Sequence, residues 1–161
     1  MKKTLLVENI GIIHSPFKEL ENMPIQSVGA QGAEGEVVVD ERFAEGLRDL
    51  DGFSHIYLIY HFHKATRIEL RVVPYMDTER RGVFATRSPL RPAHIGISTV
   101  ELLTVSGNVL VVRGVDVLDG TPLIDIKPYI PRFDCWQNAT SGWMKASRFD
   151  IERRRSDNRF A

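Results

Sequence analysis

The hexapeptide Arg87-Ser88-Pro89-Leu90-Arg91-Pro92 carries the strongest chemical signal in the chain. Each proline fixes its own φ and restricts the residue before it, so Ser88 and Arg91 are held extended. Two guanidinium groups on a stiffened loop form a clamp for a carboxylate or phosphate. The run Ile95-Gly96-Ile97-Ser98 follows at once and re-enters a strand, as a loop built for a purpose would. A second signal is Asp125-Ile126-Lys127-Pro128-Tyr129. Asp125 and Lys127 project from one face of an expected strand, and Pro128 ends it. A strand end of this kind offers free carbonyls and amides to an adenine or amino-acid moiety.

His61 and His63 are two apart on an expected strand and so share a face, with Glu69 beyond them. That arrangement is similar to the metal sites of cupin barrels. The carboxylate spacing is off for that family, and neither His14 nor His94 has an evident partner role, so no metal site is expected. Cys135 is the only cysteine, which excludes an internal disulfide and a cysteine-based zinc site. No P-loop or dinucleotide fingerprint is present, so a nucleotide-like cofactor would bind outside a Rossmann frame.

The elements that must position these groups are short. Runs at 10–14, 35–39, 55–62, 69–73, 83–86, 98–105, 109–113 and 123–126 are rich in Val, Ile, Leu and aromatics, at strand length. Ser106-Gly107-Asn108 and Asp119-Gly120 are hairpin signals between such runs, because Gly and Asn tolerate the positive φ of tight turns. Residues 1–8 read as the beginning of the first strand. Residues 41–50 have helical spacing at Phe43, Leu47 and Leu50. The fold class is mainly β: one antiparallel, barrel-like domain over 1–135, non-Rossmann, with an Arg-rich and partly helical tail over 136–161. Between 19 and 35 lies a long loop with Pro24, Gly29, Gly32 and Gly35, and long loops in small domains are disproportionately functional.

Of the 161 residues, 43% are hydrophobic and 26% charged, as in an ordinary globular domain. Lys plus Arg and Asp plus Glu are 21 each, so net charge points to no nucleic-acid partner. Arginines nevertheless crowd 67–91 and 148–159, and a neutral total can hide a local positive patch. No apolar run approaches the roughly 20 residues that cross a bilayer, so no membrane partner is expected. The cytoplasm is the expected compartment.

Five blocks carry a resemblance. They are Ile10-Gly11-Ile12-Ile13-His14-Ser15-Pro16-Phe17, Gly46-Leu47-Arg48-Asp49-Leu50-Asp51-Gly52-Phe53-Ser54-His55 and Tyr60-His61-Phe62-His63. They continue through Gly82-Val83-Phe84-Ala85-Thr86-Arg87-Ser88-Pro89 and end at Asp119-Gly120-Thr121-Pro122-Leu123-Ile124-Asp125-Ile126-Lys127-Pro128-Tyr129. In order and spacing the chain resembles the TsaA-like, or TrmO, family of tRNA methyltransferases. The resemblance implies a homodimer that binds S-adenosyl-L-methionine near the subunit interface. It also implies transfer of the methyl group to N6 of threonylcarbamoyladenosine beside the tRNA anticodon. The alternatives are another RNA or small-molecule acceptor, or a binding module without catalysis. Carried over by position, the cofactor contacts fall on Ile25, Gln26, Ser27, His63, Lys64, Arg87, Ile97, Asp125, Ile126, Lys127 and Pro128. Arg87 would hold the cofactor carboxylate. Asp125, His63 and Tyr129 remain open as the base. One departure stands out: the family's Arg-Pro-Asn-Pro-Ile-Gly reads Arg91-Pro92-Ala93-His94-Ile95-Gly96 here, losing an amide and gaining a titratable ring.

Overall fold

The computed structural model describes residues 3–161. Its strands are β1 (Gly11–His14), β2 (Glu34–Val39), β3 (His55–His61), β4 (Arg71–Val72), β5 (Arg81–Gly82), β6 (Ile95–Ser106), β7 (Val109–Arg113) and β8 (Thr121–Pro128). Two short helices follow, α1 (Pro131–Asp134) and α2 (Arg148–Arg153). Six strands close an antiparallel barrel in the order β1-β2-β7-β6-β3-β8, with β8 pairing back onto β1. Closure leaves the barrel itself without a free edge to template aggregation. The period-2 pattern explains the interior: Ile56 and Leu58 of β3, Leu110 and Val112 of β7, and Leu123 of β8 point inward and are fully buried. β4 and β5 form a separate two-stranded ribbon.

The strand expectations at 10–14, 35–39, 55–62, 98–105, 109–113 and 123–126 each correspond to a barrel strand. Gly107, at φ +59, opens the two-residue β6–β7 hairpin in the first position that a II′ turn reserves for glycine. Other expectations need correction. Residues 3–10 form no strand, and Leu5 and Leu6 are exposed; Met1 and Lys2 lie outside the described residues. β1 begins at Gly11, whose α-carbon lies so close to the β2 backbone that a Cβ would sit 2.3 Å from the Val38 carbonyl oxygen. The run at 69–73 contributes only β4, and 83–86 is a 3-10 turn (Val83–Ala85), since the closed barrel offers neither segment a partner edge. Asp119-Gly120 is a turn, with Gly120 at φ +77, but not a hairpin: β7 pairs with β2 and β6, whereas β8 pairs with β1 and β3.

Residues 41–50 do wind, as a 3-10 helix (Glu41–Leu47) capped by the Asp40 carboxylate, and break at Asp49 with φ 64. Phe43, Leu47 and Leu50 face the core as their spacing predicts. In the tail, Ser147 and Asp150 build a reciprocal capping box that starts α2. α2 packs on the 3-10 turn Ser27–Ala30 of the long loop, where a Cβ on Gly29 would meet the Glu152 carbonyl oxygen at 3.0 Å. Among the described residues no helix is long and apolar enough to cross a membrane.

Candidate functional site

The barrel interior changes character towards one end. The inward positions of β6 read Leu102, Val100, Ser98, Gly96, passing from apolar to polar and then to no side chain at all. Tyr60 of β3 and Thr121 of β8 are the inward neighbours there. Glycine is required at 96: a Cβ would sit 2.4 Å from the Tyr60 ring and 2.7 Å from Phe62. Those two rings pack edge to face at 5.4 Å over the vacated space. Above this floor opens a cavity of about 550 Å³. Its walls are the loop at 20–26, the turn after β3, the 86–91 loop and the end of the tail.

The 86–91 loop is held by its own polar groups. Ser88 is buried and its hydroxyl accepts from the Leu90 N–H at 3.2 Å; Thr86 Oγ1 donates to the Val83 carbonyl at 2.8 Å. Arg91 Nη1 donates to the Thr86 carbonyl at 3.1 Å. The two guanidinium groups are therefore not equivalent. Arg91 braces the loop, whereas Arg87 is exposed to the cavity and meets Gln26 Oε1 at 2.6 Å. His94 sits at φ 49 and its N–H donates to the Arg91 carbonyl at 3.0 Å. Proline can satisfy neither condition, so the proline that the resemblance implies for this position would give the turn a different backbone as well as a different side chain. The ring turns back on the loop, with Nδ1 2.8 Å from the Pro89 carbonyl oxygen; a carbonyl only accepts, so Nδ1 carries the proton.

Of the eleven residues carried over by resemblance, Ile25, Gln26, His63, Lys64, Arg87 and Ile97 line this cavity. Ser27 lines an adjoining cleft of about 670 Å³ together with Phe84, Trp143 and Met144. Asp125, Ile126, Lys127 and Pro128 do not reach the cavity. A bulge in β8 re-aims them: Ile59 pairs with Asp125 and Tyr60 with Leu123, so Ile124 is the extra residue. Asp125 and Lys127 then point outward and pair with each other at 3.1 Å, as their shared face predicts. Asp125 lies beside Ile59, which does line the cavity. Tyr129 packs edge-on against Tyr57 at 5.6 Å, away from the cavity.

His61 and His63 do not share a strand face, because β3 ends at His61 and His63 lies in the turn beyond. The His61 ring faces that of His94 at 6.2 Å. Burial, helped by Lys64 and His61, holds His63 below the usual histidine range. Glu69 is taken by Arg67 at 2.8 Å and Arg80 at 3.7 Å. Among the described residues no three His, Cys, Asp or Glu side chains could share a metal ion.

Two contributors are absent from the sequence reading. Asp116 is partly buried and borders the cavity, where Ser98 Oγ donates to its Oδ1 at 2.5 Å. Burial pushes this carboxyl up to about 6, while the Ser98 hydroxyl, its own backbone N–H, Ser27 and Arg87 pull it down. Its signal in the sequence is one carboxylate in the apolar run Val115-Asp116-Val117-Leu118, whose other members are all buried. The second contributor is the end of the tail. Ser156 is stitched to the long loop: its N–H donates to the Met23 carbonyl at 2.8 Å and its hydroxyl to that of Leu20 at 2.6 Å. Beyond it Phe160 packs edge to face against Tyr75 at 4.9 Å and Arg159 donates to the Pro74 carbonyl at 2.8 Å, closing one side of the cavity.

Comparison with known proteins agrees with this architecture. The family model described as the tRNA-methyltransferase O N-terminal domain matches residues 12–135. A protein of Pyrococcus abyssi named a probable S-adenosyl-L-methionine-binding protein is 55% identical over 151 residues, covering 94% of this chain and 82% of the relative. The tRNA (adenine(37)-N6)-methyltransferase of Escherichia coli is 35% identical over 150 residues, covering 87% of this chain and 64% of that enzyme. The crystal structure of TrmO from Pseudomonas aeruginosa superposes with a TM-score of 0.74 at 37% identity, over 88% of this chain and 63% of that one. Barrel, matched residues and structural likeness together make this chain a member of the TrmO family.

Proposed function

We propose that the chain binds S-adenosyl-L-methionine in the mouth cavity and transfers its methyl group to N6 of threonylcarbamoyladenosine beside a tRNA anticodon. The observation that carries this reading is the meeting of 25–26, 63–64, Arg87 and Ile97, four separate stretches, around one cavity. The group suits the residues present. About 550 Å³ is within the range of small-ligand sites, and Ile59, Phe62, Tyr75 and Ile97 supply apolar surface for an adenine. Arg87, held among the described residues only by Gln26, is the cation that suits the carboxylate. When bound, the sulfonium supplies an electrophilic methyl carbon, so the protein's part is mainly orientation. Arg87 fixes one end of the ligand, the ring-packed floor excludes water, and the tail wall narrows the approach of the acceptor. The 125–128 segment enters this reading if the ligand extends past Ile59 and Ile97 onto the outer face. There a second copy of the chain would cover the exposed Ile95 and Ile97; a monomer in light scattering removes that half of the reading.

A thermal melt with excess S-adenosyl-L-methionine tests the binding. A ligand at about 100 times Kd adds roughly 2.7 kcal/mol, a rise of several degrees for a domain of this size. No rise at millimolar ligand would overturn the reading. Labelled cofactor with bulk tRNA then tests the transfer. A second reading, binding without catalysis, is favoured by the altered turn at Ala93-His94 and predicts a thermal shift with unlabelled RNA.

A further inference from the structure

Asp116 stands between Val115 and Val117, both buried, at the point where the barrel floor turns polar. A carboxylate in such surroundings is costly unless hydrogen bonds satisfy it. Here Ser98 Oγ donates to Oδ1 at 2.5 Å, and the Tyr60 hydroxyl lies 3.0 Å from the same Ser98 oxygen. An ionised carboxylate only accepts, so Ser98 gives it its proton and accepts from Tyr60 in turn. The three residues come from β3, β6 and the 115–118 segment, and they form a chain of hydroxyls that ends on a carboxylate beside the cavity. The charged and titratable groups facing Asp116 are Tyr60 and Arg87; Ser98 and Ser27 face it as neutral donors, and its own neighbours are valines.

We propose that Asp116 is the general base of the transfer, aimed by the Ser98–Tyr60 chain; this rests on the methyltransferase reading. The N6 electron pair forms the new N–C bond as the S–C bond breaks with its pair left on sulfur. The N6–H pair returns to nitrogen and the proton passes to the Asp116 carboxylate, which releases it to water. Of the groups left open by the sequence, Asp125 is tied to Lys127 on the outer face and Tyr129 packs on Tyr57. Neither borders the cavity; His63 does, and is the competitor. A base near neutrality suits the task, and burial holds this carboxyl at about 6.

The test is single-turnover methyl transfer to tRNA from pH 5 to 8.5, with calorimetric binding of S-adenosyl-L-methionine, for the natural chain, Asp116→Asn and Ser98→Ala. The natural chain is expected to lose activity about tenfold per pH unit below about pH 6. Asp116→Asn is expected to lose roughly 10²–10⁴-fold in rate, to show no acid limb, and to bind the cofactor within about threefold of normal. Independently of activity, a carboxyl carbon resonance in the free protein should titrate near 6 and vanish in this variant. Ser98→Ala keeps the carboxylate but removes a bond that favours its charge, so its limb moves to higher pH; that result decides the matter even if Asp116→Asn fails to fold. An unchanged rate in Asp116→Asn, or a limb that persists there, overturns the proposal and makes His63 the next group to test. So does a tenfold loss of cofactor affinity at unchanged saturating rate, which makes Asp116 an anchor for the cofactor's ammonium. A natural chain that binds the cofactor but methylates no tRNA sinks the transferase reading instead.

Discussion

The barrel and its mouth are held together by different forces. In the barrel, six paired strands satisfy one another's backbone groups and enclose side chains such as Ile13, Leu58, Leu110 and Val112 with no measurable exposure. At the mouth, side chains bond to backbone instead: Ser156 to Leu20 and Arg159 to Pro74 across long stretches of sequence, Arg91 to Thr86 within one loop. The first region derives its stability from apolar burial, which is insensitive to the identity of any ligand. The second exposes polar groups around a cavity, and its pieces can alter without undoing the barrel.

The largest effect that separates the two regions is a cavity in the barrel. Leu110→Ala removes a fully buried side chain from the centre of β7 and is expected to lower unfolding stability by about 2–5 kcal/mol. Urea unfolding measures it. Cofactor affinity, measured where the variant is still folded, should stay within about threefold. A loss of affinity as large as the loss of stability would show that core and mouth are one cooperative unit.

The same division governs what could be read from the sequence. The barrel strands were legible because period-2 burial leaves its mark on every residue, as in Ile56, Leu58 and Tyr60. Segments 69–73 and 83–86 carry the same composition but form a two-residue ladder strand and a 3-10 turn, since composition does not reveal that the barrel has already closed. At the site, Arg87 was legible because the prolines beside it betray a constructed loop. Its inequality with Arg91 was not, because it depends on which carbonyls the fold brings near. Asp116 was hidden for a related reason. Its partners Ser98 and Tyr60 lie 18 and 56 positions away, and only the register of β3 against β6 brings them together. The wall made by Ser156 and Phe160 belongs to a tail whose composition signals only charge.

Arg87→Ala reverses the first prediction. The side chain is exposed and, among the described residues, bonded only to Gln26, so its loss should leave the melting temperature of the free protein nearly unchanged, within the usual ±0.5 kcal/mol of a surface change. Cofactor affinity should fall by roughly 1.5–3 kcal/mol, the scale of a lost charge-assisted hydrogen bond. Calorimetry decides between that and unchanged binding, which would remove Arg87 from the site. The variant also sharpens the comparison, since it separates function from stability in the direction opposite to Leu110→Ala.

The smallest expected effect lies on the seam between the two regions. Asp119 accepts from the Ser15 N–H at 3.0 Å and pairs with Lys18 at 2.7 Å and His14 at 3.3 Å, tying the end of β1 to the turn that opens β8. The Lys18 ammonium first, then the Ser15 N–H, hold its carboxyl down at about 2. A folded-state value below the unfolded one means that the carboxylate form stabilises the native chain. That contribution is complete above the ordinary carboxylate range near 3.8 and is lost as pH falls through about 2. Lys18 is mostly exposed, so screening limits the gain to about 1 kcal/mol. Asp119→Asn should therefore unfold at lower urea than the natural chain at pH 5, with the gap closing between pH 4 and 2. Added salt should narrow the gap at pH 5, because part of it is an exposed ion pair. A gap that persists undiminished at pH 2 would assign the stabilisation to the shape of the turn rather than to its charge, and would place Asp119 with the barrel instead of the mouth.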